Sequence, residues 1–334
     1  MFKHLIIINP LGTMYGSSGG FLSPENLVGI SRRKFPPEAA TLSGLFFLAA
    51  EEGGTKEFAS HKELKGKLHV AGPFWAKLND PYNFYVPIPW HKVIAKEETD
   101  QWHIEEGKWQ RNQEEIEPDY KWQTIDSWDD SPDTILSNES ASADPWKFTP
   151  ILHPHLKPEE RCSKSEDGLL LESAVQMPED HCLVYLSTHK LPDGWYRFGG
   201  ENHTVEVTSE PIDEGLTEQF DQPLGNAFTL ITPGIWGSNR FSERYPQPLA
   251  QKAPTKGKPL MLTDKPIPYR YRLSGFMGRG RYAVAPGSVY VLEKALEESW
   301  WDLPEDWFPT EGISLKKMGC GLCLPVNIKG LDNV

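Results

Sequence analysis

The chain has 334 residues, a formal net charge of −13 and 38% hydrophobic residues, room for two domains of ordinary size with a substantial core. So negative a balance excludes a protein that coats nucleic acid over its whole surface, and any such contact must be local. Four cysteines are too few for a disulfide framework, the chain does not open on a signal-peptide layout, and its longest apolar run, near residues 42–50, falls short of the ~20 residues of a bilayer span. The expectation is a soluble, cytoplasmic protein without membrane contact.

In chain order, residues 5–8 form a short, continuous apolar run rich in isoleucine, the pattern of a strand buried inside a sheet. Gly16-Ser-Ser-Gly-Gly20 matches a nucleophile-elbow pattern, but Phe21-Leu-Ser-Pro24 follows where the helix should start, so a catalytic serine is not expected. Arg32-Arg-Lys34 sets three cations before Phe35-Pro-Pro37. Thr41 can cap an apolar helix over residues 42–50 that Gly53-Gly54 stops. Ser43 and Gly44 would permit close approach there, and the free N–H groups of the helix entrance could hold a phosphate. Strands are expected over 67–71 and, edge-like because of its prolines, over 82–90, with a turn at 79–81. Strand, helix and strand pair open a ferredoxin-like unit.

From 97 to 144 the character changes: fifteen acidic residues face only Lys108, Arg111 and Lys121, among Trp102, Trp109, Trp122 and Trp128. The segment, taken as 96–147, reads as an insertion partly ordered by its tryptophans, either a solvated acidic loop or a protein-docking surface. Strands follow at 168–175 and 181–187, then Trp195-Tyr-Arg-Phe-Gly-Gly200 leads into another. Later strands fall at 226–232, 259–263 and 288–292. Trp300-Trp301 and Trp307-Phe308 are either core or partner anchors.

Between Lys265 and Leu292 no acidic residue occurs. Arg270, Arg272, Arg279 and Arg281 supply donor forks, Tyr269, Tyr271, Phe276 and Tyr282 supply stacking faces, and Gly275, Gly278 and Gly280 permit close backbone approach, a combination suited to single-stranded RNA. The alternative is a surface hairpin whose arginines pair with acidic neighbours. Gly278-Arg-Gly-Arg-Tyr-Ala283 superficially matches a dinucleotide fingerprint, but it leads into Pro286 and a strand rather than a helix. Lys316-Lys-Met-Gly-Cys-Gly-Leu-Cys323 joins two cations to a glycine turn; its Cys-x-x-Cys finds no second paired spacing among His153, His155, Cys162 and Cys182, so neither metal nor cofactor is expected.

Three ordered features, Phe35-Pro-Pro37 with Thr41-Leu-Ser-Gly-Leu45, Trp195-Tyr-Arg-Phe-Gly-Gly-Glu201, and Tyr282-Ala-Val-Ala-Pro-Gly-Ser-Val-Tyr-Val-Leu292, resemble the Cas-five group of the CRISPR RAMP superfamily, within it the third subunit of the type III Cmr effector. The resemblance spans most of the chain outside the acidic insertion and the segment near 247–258. It implies an α+β protein of two ferredoxin-like, RNA-recognition-motif-like domains, at 1–208 and 209–334. It further implies a non-catalytic subunit that caps the 5′ repeat-derived tag of the crRNA, touches the large polymerase-like subunit and the RAMP backbone subunits, and meets target RNA indirectly. Contacts to the tag would come from Thr41 and Ser43, from Gly199 and Gly200, and from the arginine-rich stretch. Members often carry an arginine where this chain has Phe46-Phe47, which shifts the expected cation to Arg32 and Arg33. Phosphate binding is therefore expected from Arg32, Arg33, Lys34, Arg270, Arg272, Arg279, Arg281, Lys316 and Lys317, and stacking from Tyr271, Phe276 or Tyr282. Two other readings stay open: a metal-independent endoribonuclease that processes guide RNA, with His4, His69 or His203 as acid and base, and a purely architectural docking subunit.

Overall fold

A computed structural model describes residues 1–15, 34–51, 61–154, 157, 162–163, 169–199, 202–238, 240–252, 259–273 and 276–331. In chain order the elements that matter are β1 (His4–Pro10), α1 (Ala39–Glu51), α2 (His61–Lys67), β2 (Val70–Lys77), β3 (Asp80–Pro87), β4 (His103–Glu105), β5 (Lys108–Gln110), β6 (Trp122–Thr124), α3 (Pro132–Ser137), β7 (Ala141–Ser142), β8 (His181–Ser187), β9 (Gly194–Phe198), β10 (His203–Pro211) and α4 (Glu214–Asp221). The second half adds β11 (Gly225–Leu230), β12 (Leu260–Leu262), β13 (Ile267–Tyr269), β14 (Arg281–Ala283), β15 (Val289–Leu296) and β16 (Cys323–Pro325).

The apolar run in β1 is continuous because both of its faces are covered. β1 lies inside an eight-stranded sheet of order β7-β6-β3-β2-β8-β1-β10-β9, pairing antiparallel with β8 (Ile6 opposite Tyr185) and β10 (Ile8 opposite Val207). Leu5 and Ile7 join Phe74, Phe84 and Val184 on one face, while Ile6 and Ile8 join Trp75, Leu183 and Tyr185 on the other. Each such side chain contributes about 1.5–3 kcal/mol on burial. α1 covers the second face with Leu42, Leu45 and Phe46.

The first face is covered by the second sheet, of order β12-β15-β11-β16. Phe228, Leu230, Tyr290, Leu292 and Leu324 enter the same core as Leu5 and Ile7, with the Phe228 and Tyr290 rings stacked at 5.0 Å. Both sheets thus have a ferredoxin-like strand order: the first and third strands (β1 and β8; β11 and β15) are central, the fourth (β10; β16) lies outside the first, and the second (β2; β12) outside the third. The two complete helix-backed units expected from the sequence are not realised. α1 occupies the first crossover of the first sheet, but the β9–β10 hairpin stands where its second helix would be, and among the described residues the second sheet's crossovers hold 3₁₀ turns and small hairpins.

Three local expectations change. Residues 61–67 are helical, with Lys67 bonded to Glu63 one turn away at 2.9 Å and Leu64 buried. β3 lies between β2 and β6, so its prolines do not make it an edge. The acidic segment is folded, because aliphatic residues between its charges form small clusters, Ile94 with Ile135 and Val93 with Ile116. It adds β6 and β7 to the first sheet, and its β4–β5 hairpin sets Ile104 and Trp109 against Ala227, Val289, Val291 and Ile328 on the outer face of the second. Backbone and indole bonds close this clasp: Ile104 N–H to the Lys329 carbonyl (2.9 Å), Trp90 N–H to that of Gly287 (2.8 Å) and Trp128 Nε1–H to that of Pro325 (2.8 Å). Trp128, Trp122 and Trp109 are therefore packing residues, not docking hot spots; Trp300 and Phe308 likewise lie in the core. Among the described residues no helix is long and apolar enough to cross a membrane.

Gly330, at φ +83°, would place a Cβ 2.0 Å from the Ile104 carbonyl oxygen. Gly330→Ala is expected to open the clasp. Hydrogen exchange would report it as faster exchange of the Ile104 amide with protection in β1 unchanged; equal protection at Ile104 in both proteins would refute the clasp.

Candidate nucleic-acid interface

The arginine-tyrosine stretch folds as a hairpin, β13 against β14 with Tyr269 opposite Arg281, continued by a short inner ladder of Arg272–Leu273 with Phe276–Met277. Strand alternation divides its residues into two sets. Tyr269, Tyr271 and Ala283 point inward, against Ile235, Leu315, Met318 and Cys320. Arg281 is also inward: its guanidinium pairs with Glu311, with 6% and 15% of the two side chains exposed. The expectation that Tyr271 stacks on bases and Arg281 binds phosphate is thus overturned, since both are consumed in seating the hairpin. Tyr282 points outward, 62% exposed, and Arg270 and Arg279 are exposed. Arg270 donates from Nε to the Gly278 carbonyl at 2.8 Å, which orients its fork on the hairpin surface. Arg272 and Phe276 lie in the inner ladder by backbone; their side chains, and all of Arg32, Arg33 and Gly200, lie outside the described residues.

The entrance of α1 differs from the expected phosphate cradle. The helix begins at Ala39, so Thr41 sits in its first turn rather than at the cap, its N–H bonded to the Glu38 carbonyl at 2.8 Å. Glu38 places a carboxylate before the helix, bonded to Lys34 at 2.5 Å, and Lys34 also lies 5.1 Å from the Tyr269 ring centroid. That carboxylate meets the positive end of the helix and disfavours a phosphate there. One side of α1 remains uncovered: a groove of about 370 Å³ opens between Ala40, Ser43, Gly44, Phe47 and Leu48 of α1, His61 and Lys65 of α2, and Ile313 and Met318. Gly44 has open space where a Cβ would be, so it widens this groove instead of allowing close helix packing.

Lys316 departs furthest from its expected role. It is 4% exposed, its ammonium donates to the carbonyls of Trp301 (2.6 Å) and Leu303 (2.5 Å), and it lies over the rings of Trp300 and Phe308 at 5.4 and 6.0 Å. Lys317 is partly exposed and bonds the Gly66 carbonyl at 2.9 Å. Lys316→Ala is expected to lower stability by about 2–4 kcal/mol, the cost of two buried carbonyls left without a donor, and to leave RNA affinity of the folded protein unchanged; denaturant titration and binding together check both halves.

Gly199, at φ +84°, ends β9 in an open turn. Along that strand Tyr196 and Phe198 turn inward while Trp195, 74% exposed, and Arg197 face outward. This outward pair was legible in the alternation of the sequence and is absent from the expected contacts. The three histidines considered for catalysis do not form one centre: His203 stacks on Tyr15 at 5.1 Å at the far end of β10 from His4, and His69 meets the Trp301 ring edge at 5.2 Å. Burial pushes His69 down to about 4. Its pKa is near 6.5 when unfolded, so between pH 6.5 and 4 the unfolded chain binds the extra proton and acid destabilises the fold. A Tm that falls over this window, and falls less in His69→Gln, is the expected result. Cys320 and Cys323 are buried thiols, Cys320 raised to about 12 by that burial, and among the described residues no three histidine, cysteine or acidic side chains converge as metal ligands.

Two antiparallel sheets of ferredoxin-like strand order, packed face to face with one crossover helix, define a mixed α/β protein consistent with a RAMP-like build. The fold is similar to that of a chain of the Type III-B Cmr-beta complex bound to cognate target RNA and AMPPnP, at TM-score 0.50 and 12% identity over 86% of both chains. Weaker likenesses are to a chain of the Csm3-Csm4 subcomplex of the type III-A CRISPR-Cas interference complex (TM-score 0.40, 9% identity, 88% of this chain and 94% of that one) and to one of the Csm1-Csm4 cassette in complex with pppApA (TM-score 0.36, 14% identity, 91% and 100%). No protein-family model and no curated protein matches the sequence.

Proposed function

We propose that this chain is a non-catalytic subunit of a type III CRISPR RNA-guided effector complex, binding and capping the 5′ repeat-derived tag of the crRNA and bridging the large polymerase-like subunit to the RAMP backbone subunits. The observation that carries the reading is the hairpin of β13 and β14, which keeps Arg270, Arg279 and Tyr282 at an open surface of an otherwise acidic chain. The fold likeness to a chain of a type III-B complex supports it. Arginine forks suit phosphate oxygens and an exposed tyrosine ring suits a splayed base. His203 lies at the far end of β10 from His4, which removes that pair as general acid and base, since both must reach the scissile phosphodiester.

Co-purification with the neighbouring subunits, ultraviolet crosslinking and peptide mass spectrometry test the assignment. Crosslinks are expected at Tyr282; crosslinks confined to other subunits would make the chain an architectural docking subunit. Arg270→Glu with Arg279→Glu should weaken guide-RNA binding and lower the salt slope by roughly 1.4, about 0.7 for each single-strand phosphate that is no longer neutralised. Incubation with repeat RNA in EDTA should give protection without scission, whereas cleavage at one position would establish the ribonuclease reading instead.

A further inference from the structure

One end of the first sheet gathers cations that the hairpin and groove do not use. β1 is entered through Lys3 and His4, β8 leaves through Thr188, His189 and Lys190, and β2 is entered from Lys67 through His69. A dense set of bonds fixes these strand ends together. Lys3 N–H donates to the Ser187 carbonyl (2.8 Å) and Thr188 N–H to that of His69 (3.0 Å); His69 N–H donates to Thr188 Oγ1 (3.0 Å) and His189 N–H to Ser187 Oγ (3.1 Å). Lys317 spans from the neighbouring turn to the Gly66 carbonyl at 2.9 Å. Lys3 and Lys190 are exposed, and among the described residues neither has an ion pair; Lys67 shares its charge with Glu63 at 2.9 Å. Burial, and after it the charges of Lys190, His189 and Lys3, hold His4 below the usual histidine range. Burial also lowers His189, with Lys3 and Lys67 acting in the same direction and Glu63 against them.

The cluster continues into the groove. α2 carries Lys65 on the groove wall and Lys67 at the strand ends two residues later. We propose that this crown of strand ends is a second seat for RNA, a track for the sugar-phosphate backbone that runs from the α1–α2 groove over Lys67 to Lys3 and Lys190. The inference rests on the reading that the chain holds RNA, and extends the contact beyond the β13–β14 hairpin. Lys65, Lys67, Lys3 and Lys190 outnumber the carboxylates along it, Glu51 on the groove wall and Glu63 paired to Lys67, and its exposed apolar side chains among the described residues are Leu48 in the groove and Met1 at the far border. The strand ends themselves carry cations and, among the described residues, no exposed aromatic ring, which suits sequence-independent phosphate contacts better than a protein hot spot.

The test uses the co-purified complex and a fluorescent single-stranded RNA of mixed sequence, titrated over a range of salt. Lys3→Glu with Lys190→Glu should weaken binding about tenfold and reduce the salt slope by roughly 1.4, two single-strand phosphate contacts at about 0.7 each. Lys3→Gln with Lys190→Gln, expected to keep the wild-type Tm, should give a smaller loss in the same direction. The Arg270/Arg279 glutamate pair is the comparison. If it weakens binding while both crown variants leave affinity and slope unchanged, the crown is overturned and the RNA reading stands; if neither pair has an effect, the RNA reading itself fails. If the crown variants keep RNA but release a protein subunit, the surface serves an acidic protein and the proposal is wrong.

Discussion

The second half of the chain meets the first sheet backbone to backbone at Gly319, and the placement of the candidate interface follows from that contact. At φ +69°, a Cβ on this residue would lie 2.4 Å from Ala71 Cα and 2.5 Å from the Val70 carbonyl oxygen. Only glycine fits, on grounds both of conformation and of space. With the turn held against β2, Leu315, Met318 and Cys320 are carried inward to pack on Tyr269 and Tyr271. The hairpin is thereby seated from below, and Met318 becomes a wall of the groove beside α1. Burying Lys316 so close to the core is unfavourable by itself, and two carbonyls with two aromatic faces offset that cost.

Charge is distributed as unevenly as the packing is shared. The acidic module occupies the β6–β7 edge of the first sheet and the outer face of the second, and of its fifteen carboxylates all but Asp100 and Asp130 are exposed. Asp100 is turned inward to accept the Gln101 and Gln113 N–H groups, both at 2.8 Å, with Arg111 at 3.5 Å. A polyanion is repelled from that side, while exposed cations stand at the hairpin, the groove and the strand ends. The module thus clasps the second sheet mechanically and, on the reading proposed above, keeps RNA from that side electrostatically.

Strands were the most legible level of the sequence. The β1 run, the 181–187 strand and the strand within 288–292 stand where alternation and apolar continuity place them, because burial on two faces leaves a strong signal. Helix content was legible only in α1: α2 carries too few apolar residues to declare itself, and its identity depends on Leu64 and one Glu63–Lys67 pair. Side-chain roles were least legible. Arg281, Lys316 and Tyr271 have the composition of a binding site and the contacts of a core, and that difference is set by Glu311, Trp301 and Cys320, residues remote or separated in sequence. Trp195 shows the reverse: an aromatic that composition would assign to the core lies outside because it alternates with the inward Tyr196 and Phe198 on the uncovered face of β9.

Tyr282 and Trp195 sit on hairpins of different sheets. Phe241 lies in a third hairpin, whose Ser242 hydroxyl accepts the Tyr282 N–H at 3.2 Å, so the three exposed rings do not share the one sheet face of a stacking platform for consecutive bases. The exposed cations, by contrast, run along connected elements, from Lys65 in α2 to the ends of β1 and β8. A surface of that kind grips the backbone of a strand and offers single rings to single bases. On the reading proposed above, the chain positions RNA and fixes its path while base pairing elsewhere in the assembly reads it, so neutralising cations should cost affinity for every sequence about equally.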